Sequence, residues 1–556
     1  MNHTPPQLVL NVLLSGLLLL NAAATAHAAP APVATVIETR SEARTSHRII
    51  LKPTGTPDAV VDRLRRQFGE QVATIRPMSG GAWVIAVGTA EKTTLDLVLA
   101  DLQDDQLIEY AQTDAATRVM TNPDDRLFRA QWQHHSLEEQ LASMDLVNTW
   151  DITTGSSDIV VAVIDTGFRF EHADLTNRLL DGYDFVSGIN ESLDTFLPVP
   201  DEYNFIRSND GDGRDPDPTD PGDGVDEMLS AEMSELGIHC PVTSSTWHGT
   251  AMTSLLAANA NDNFGMAGVD WQARILPVRA IGRCGGSRSD LLDAIRWAAG
   301  VDDPSLPPNP NPARIINLSL GIDDICGAAD QRAIDDARAA GALVVAAVGN
   351  QARDLDSRGA SPSDCHGVIG VTAINASGEL ARYSNFGADV DIAAPGGEGR
   401  QGDDLPILVA TNDGEISPAT GSAHKYTTGT SVASPMVAGV LSLMLSVNPE
   451  LSNDELEALL YTAARRFPNH RKGRDCRSTI CGAGMLDAFA ATTLAERSLS
   501  TPVPELAAAK LAESGGSAGF GCSISPTRTP DPVWPLLLVG LFVVTRRRRV
   551  SQVADA

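Results

Sequence analysis

Basic residues are scarce in this chain: 42 Lys and Arg stand against 71 Asp and Glu, a formal net charge of -29 over 556 residues. Nucleic-acid binders neutralise phosphates with a concentrated basic face, so this balance excludes that class and points to an acidic, soluble surface. Among the seven cysteines no two are separated by two residues, so zinc-site spacing is missing. Long apolar runs are missing too. Leu8 to Leu20 and Val533 to Val544 both fall short of the ~18–20 residues needed to span a bilayer. No Lys or Arg precedes the first run, and no internal repeat is present.

What is present describes an exported, folded chain. A hydrophobic content of 43% supports a sizeable core. Leu8 to Leu20 followed by Ala26-His27-Ala28 has the apolar region and small-residue cleavage site of a secretory signal, here residues 1–28. Export to an oxidising compartment suits the cysteines, six of which fall in the folded region. Cys476 and Cys481 are close enough to close a small loop. Cys240, Cys284, Cys326 and Cys365 have the number for two more bridges, but six cysteines allow about fifteen pairings and the sequence does not choose among them.

Residues 29–120 read as a small α+β unit, with strands at 47–51, 83–87 and 108–111 and helices at 59–68 and 95–102. It ends before Thr121-Asn122-Pro123-Asp124-Asp125, a polar, turn-rich stretch suited to proteolytic cutting. From 121 to 495 short β-branched runs alternate with amphipathic segments, the pattern of an α/β fold whose mostly parallel sheet has helices on both faces. Strands are expected at 159–164, 273–278, 315–318, 343–348 and 368–372, and helices at 250–260, 289–299, 331–340 and 431–445. Gly341 is placed to end the third helix, and Ser452 with Glu455 forms a capping box for another. Residues 496–532, rich in Ala, Ser, Gly and Pro, read as a linker. Residues 533–556 join a short apolar stretch to Arg546-Arg547-Arg548-Arg549, resembling the C-terminal sorting tails of some bacterial surface and secreted proteins. Such a tail makes transient membrane contact and is removed on export.

Three motifs carry chemistry. In Val161-Ala162-Val163-Ile164-Asp165-Thr166-Gly167 an apolar strand ends in an acid before a glycine turn, placing a carboxylate on the sheet edge where ligands bind. His248-Gly249-Thr250 opens a helix and brings an imidazole, the side chain best suited to moving protons near neutral pH. In Gly429-Thr430-Ser431-Val432-Ala433-Ser434-Pro435 a serine starts a helix whose dipole favours developing negative charge. Alone, each motif has an ordinary structural reading; the chain order Asp, His, Ser at three element boundaries is far more specific.

With these residues the chain resembles a subtilisin-like serine protease of the secreted bacterial kind, from about Leu127 to Ala491, with a propeptide ahead of it. The resemblance implies a subtilisin-like fold and a serine endopeptidase. In it Ser431 is the nucleophile, His248 the general base and then acid, and Asp165 the group that orients the imidazole. Asn350, in Ala347-Val348-Gly349-Asn350, matches the family's oxyanion-hole asparagine. Ser319, Leu320 and Gly321, in Asn317-Leu318-Ser319-Leu320-Gly321, match the edge where an extended peptide adds as a strand. Protein or peptide substrates follow, and residues 29–120 become the chain's own inhibitor and folding aid. Ala251, Val432 and Met436 depart from residues common in the family at those positions; none of the three is a catalytic group.

Between Asp165 and His248 runs the insertion Asn209 to Asp223, dense in carboxylates, glycine and proline. Together with the resemblance it suggests Ca²⁺, with Asp210, Asp212 and Asp215 as candidate ligands; a solvated acidic loop is the alternative. Arg214 and Asp215 rule out an EF-hand. Two functional alternatives remain: a processing protease of narrow specificity, and a catalytically silent surface binding protein.

Overall fold

The computed structural model describes residues 46–513, apart from 69–71, 89–91, 104, 115–121, 193–198, 400–404 and 469–474. The expected signal peptide, the first part of the propeptide, and the chain from 514 on, including Cys522 and the arginine tail, lie outside the described residues. Two units are present, Met1–Arg118 and Val119–Ala556.

In the first unit, apolar side chains at alternate positions of β1 (Ser46–Pro53), such as Ile49 and Leu51, face a core built with α1 (Pro57–Phe68) and α2 (Lys92–Gln103). β1 is central in an antiparallel sheet of order β2-β3-β1-β4, with β2 at Val72–Pro77, β3 at Trp83–Gly88 and β4 at Ile108–Thr113. The sequence reading missed β2. Its exposed residues outnumber its buried ones, so the hydrophobic alternation is faint.

The second unit is organised by β5 (Val160–Asp165). Val161 and Val163 point to one apolar core, and Ala162 and Ile164 to the other, so the strand is buried on both faces. Complete burial of each Val or Ile stabilises the fold by ~1.5–3 kcal/mol relative to exposure. Alongside β5 lie β6 (Tyr183–Asp184), β7 (Arg274–Arg279), β8 (Ile315–Leu318), β9 (Leu343–Ala347), β10 (Val368–Ile374) and β11 (Ile392–Pro395). The order is β11-β10-β9-β8-β5-β7-β6, every pairing parallel. A separate antiparallel pair joins β12 (Ile407–Thr411) to β13 (Ala423–Thr427).

The helices longer than one turn are α3 (Glu227–Glu235), within the long insertion, α4 (His248–Ala257), α5 (Arg288–Ala298), α6 (Ala328–Ala339), α7 (Thr430–Val447), α8 (Asn453–Ala463), α9 (Ala488–Ser498) and α10 (Val503–Glu513). Residues of α4 and α7 join the core on one face of the sheet and those of α5 and α6 the core on the other, which is the α/β arrangement expected from sequence. Gly341, at φ +96°, follows α6, and Ser452 and Glu455 cap α8 reciprocally.

Two findings differ from the sequence reading, and a third settles what it left open. α9 and α10 extend into the stretch read as linker, because Leu494, Ala495, Val503 and Leu506 have apolar partners in the main core. The turn-rich stretch is anchored where it is described: Asp125 is buried and accepts from the Asn261 N–H at 2.7 Å, while Asp124 accepts from the Asn263 N–H at 2.8 Å. The cysteines pair as Cys240–Cys284, Cys326–Cys365 and Cys476–Cys481, resolving the four left open.

Candidate active site

Asp165 ends β5, fully buried, and its two oxygens lie 2.8 and 3.0 Å from Nδ1 of His248 at the start of α4. That contact fixes the ring and leaves Nε2 on the far side. Burial opposes the imidazolium, but the charge and hydrogen bond of Asp165 outweigh it. With Asp223 adding to them and Lys425 acting against, His248 titrates above the ordinary imidazole range.

Ser431 lies in the first turn of α7. Four residues on stands Pro435, which has no N–H to donate to the Ser431 carbonyl. The Ser319 hydroxyl donates instead, at 2.8 Å, and itself accepts from Asn317 Nδ2 at 2.9 Å. Ser434 closes the set by donating to Asn317 Oδ1 at 2.8 Å. Ser319 is therefore 3% exposed. Of the three residues matched to a substrate edge, Leu320 and Gly321 carry the exposed surface, while Ser319 fixes the backbone of Ser431.

Asn350 is exposed just beyond β9. Its Oδ1 accepts from Thr430 N at 2.8 Å and Thr430 Oγ1 at 2.9 Å, so its amide nitrogen is turned the other way. A Cβ built on Gly429 would lie 3.6 Å from Ser431 N, 3.7 Å from Asn350 Nδ2 and 3.8 Å from Ser431 Oγ. Two hydrogen-bond donors and the Ser431 hydroxyl thus lie within 4 Å of one position beside Gly429. These groups border a cleft of about 210 Å³ lined also by Leu320, Gly321 and Gly349. A larger cavity of about 720 Å³, lined by residues such as Pro123, Arg126 and His135, holds none of them.

Sequence reasoning missed Thr430, Asn317, Ser434 and Thr166, whose work depends on partners distant in the chain. The Thr166 hydroxyl accepts from Gly249 N at 3.1 Å and donates to Asp220 at 3.2 Å, linking the residues that follow Asp165 and His248. Pro435 was the one available signal, since a proline inside a helix frees a carbonyl.

The candidate cation ligands do not gather. Asp210 is ion-paired with Arg279 at 2.7 Å, and Asp215 accepts from Asp217 N at 2.7 Å. The N–H of Asp212 is directed at Asp210 at 3.4 Å. Among the described residues, the one cluster with converging ligand atoms is Cys326, Asp364 and Cys365, and its sulfurs form a disulfide. As folded, the insertion does not offer these three carboxylates as a cation cage.

A parallel α/β sheet with an aspartate–histidine pair at the end of its β5 strand and a serine in the first turn of a helix packed on it is an arrangement found among serine hydrolases. Residues 156–484 match the subtilase family, and the chain belongs to it. The "Extracellular protease" of Xanthomonas campestris pv. campestris is 38% identical over 411 residues, covering 74% of this chain and 63% of that one. The "Extracellular basic protease" of Dichelobacter nodosus is 33% identical, covering 78% and 67%. A solved protease from Pseudoalteromonas arctica is 38% identical with a TM-score of 0.58, covering 67% of this chain and all of its own. The chain thus spans somewhat less than two thirds of the Xanthomonas relative. Subtilases commonly bind calcium.

Proposed function

We propose that this chain is an exported serine endopeptidase that hydrolyses proteins through an acyl-enzyme. Ser431 Oγ attacks the scissile carbonyl while His248 Nε2 takes its proton. Asp165 holds the ring and stabilises the imidazolium. Asn350 Nδ2 and the Ser431 N–H donate to the oxyanion. His248 then protonates the leaving amine, and water, deprotonated by the same imidazole, releases the acyl group. The substrate lies extended against Leu320 and Gly321, which favours unfolded or loop segments of proteins.

One observation carries the reading: the donors of Asn350 and Ser431 and the Ser431 hydroxyl lie close together beside Gly429, in a chain whose His248 is oriented by Asp165. The named extracellular relatives support export. Within this reading residues 1–28 are a signal peptide, 29–120 an inhibitory propeptide, 121–513 the catalytic domain with α9 and α10, 514–532 a linker and 533–556 a sorting tail with transient membrane contact. Calcium is part of this reading, since subtilases commonly bind it, and no ligand set is assigned to it.

A fluorophosphonate probe tests the reading. The matured protein should gain one adduct mass located on Ser431, and Ser431→Ala should gain none. Labelling elsewhere, or no labelling of the matured protein, overturns it.

A further inference from the structure

The acidic insertion has no counterpart in the catalytic chemistry just described, and its carboxylates do not form a cation cage. Its two arms nevertheless reach both flanks of His248. On the outgoing arm, Phe168 N donates to Pro218 O at 3.1 Å and Asp220 N to Phe168 O at 3.1 Å, laying the insertion beside the segment that follows Asp165. The approach is so close that a Cβ on Gly167, at φ +115°, would sit 2.9 Å from Asp220 Cα.

From there the Asp220 carboxylate accepts from the Thr166 hydroxyl, which accepts from Gly249 N. Asp223 accepts from both the N–H (2.6 Å) and the hydroxyl (2.7 Å) of Thr246, two residues before His248. The intervening Trp247 is 1% exposed with a left-handed backbone, φ +54°, a conformation that costs a bulky residue and needs external support. Its indole donates to Gly414 O at 2.9 Å, and Arg169 stacks 5.9 Å from its ring.

The arms are also locked to each other and to the fold. Val225 and Thr243 exchange backbone hydrogen bonds of 2.8 and 3.0 Å, and Cys240 is bonded to Cys284 beyond β7. Arg279, at the end of β7 and 1% exposed, donates to Thr166 O at 3.1 Å, pairs with Asp184 and Asp210, and holds Ser208 O.

We infer that this insertion is a strap that positions the catalytic pair, with Asp220 acting through Thr166 on the link between Asp165 and His248, and Asp223 fixing Thr246 and adding a second negative charge near the imidazole. The inference rests on the protease reading above and adds three positioning residues to it: Thr166, Asp220 and Asp223. The charged groups facing His248 are Asp165 and Asp223, which favour the imidazolium, and Lys425, which opposes it. Lys425 also donates to Thr246 O at 2.9 Å, on the same strand of contacts.

The test uses the full chain after maturation, as wild type, Asp223→Asn, Thr166→Val and Thr166→Ser. Asp223→Asn is isosteric and keeps one acceptor for Thr246, so folding is retained while the charge is lost. Two readouts are taken: the pH profile of kcat and KM on a peptide substrate, and the titration of His248 by NMR through its low-field Nδ1 proton. The second needs no turnover, so it stands even if the protease reading fails.

Asp223→Asn is expected to lower the His248 pKa, moving the acid limb of kcat/KM to lower pH by the same amount. Thr166→Val is expected to lower kcat ~10–100-fold with KM little changed, and Thr166→Ser to restore it. Wild-type His248 titration and wild-type kcat in both Asp223→Asn and Thr166→Val, with only a lower Tm, would show that the insertion merely stabilises the fold and would overturn the inference.

Discussion

Replacing Asn350 by alanine removes one of the two donors that lie beside Gly429 and leaves Ser431 N in place. The ground-state carbonyl gains little from that amide, whereas the tetrahedral oxyanion gains a charge-assisted hydrogen bond, so the loss falls on kcat and hardly on KM. The magnitude known from a related subtilisin is ~10²–10³ in kcat, or ~2.7–4 kcal/mol. Asn350 also accepts from Thr430 N and Oγ1, so alanine deprives two donors of the fully buried Thr430 of that partner. A stability loss of ~1–3 kcal/mol follows, which thermal melts read separately from the kinetic effect. Asn350→Asp separates the two contributions. It keeps an acceptor for Thr430 but turns the donor into a carboxylate facing the oxyanion, so it should melt close to wild type and still lose at least as much activity. Steady-state kinetics on a chromogenic peptide, with thermal melts of the same samples, is the assay. A kcat within about threefold of wild type in Asn350→Ala would refute the argument, because a donor used in the transition state is worth far more.

Three further outcomes follow. His248 must be neutral to accept the Ser431 proton, and its affinity for protons is raised, so kcat/KM should fall on acidification with a midpoint above the ordinary imidazole value of ~6.5. By linkage the His248–Asp165 pair contributes stability that is complete below about pH 6.5 and is lost as pH rises through the raised pKa; melting curves across that window check the sign. Chelation by EDTA should lower the Tm of wild type and act on Asp212→Asn as on wild type, because the Asp212 carboxylate joins no cluster of ligand atoms among the described residues. Equal midpoints with and without chelator in wild type would remove the calcium assignment.

Local signals made much of the fold readable. The strands at 315–318 and 343–347 were legible because their apolar runs are short and bounded by turns, and α8 because Ser452 and Glu455 form a recognisable cap. Tyr183–Asp184 was not, since two residues carry no periodicity. β12 and β13 were missed because β13 is half exposed and polar. Asp165, His248, Ser431 and Asn350 could be named because each lies at an element boundary within a short motif. The supports of that site could not. Thr430 and Thr166, and Ser319 in its contact with Ser431, act through partners that lie tens to more than a hundred residues away in the chain, and only tertiary contact reveals these roles. The acidic insertion illustrates the limit of composition. Clustered carboxylates suggested a cation, whereas the folded loop directs Asp210 to Arg279, Asp220 to Thr166 and Asp223 to Thr246.

The central claim is that Ser431 is the nucleophile of a self-maturing protease, and casein hydrolysis by the secreted protein, wild type beside Ser431→Ala, with the intact mass of both, tests it most directly. The account predicts activity and a shortened mass for wild type, and an inactive alanine variant that keeps its propeptide. Equal activity in the two, or none in a correctly matured wild type, would contradict it.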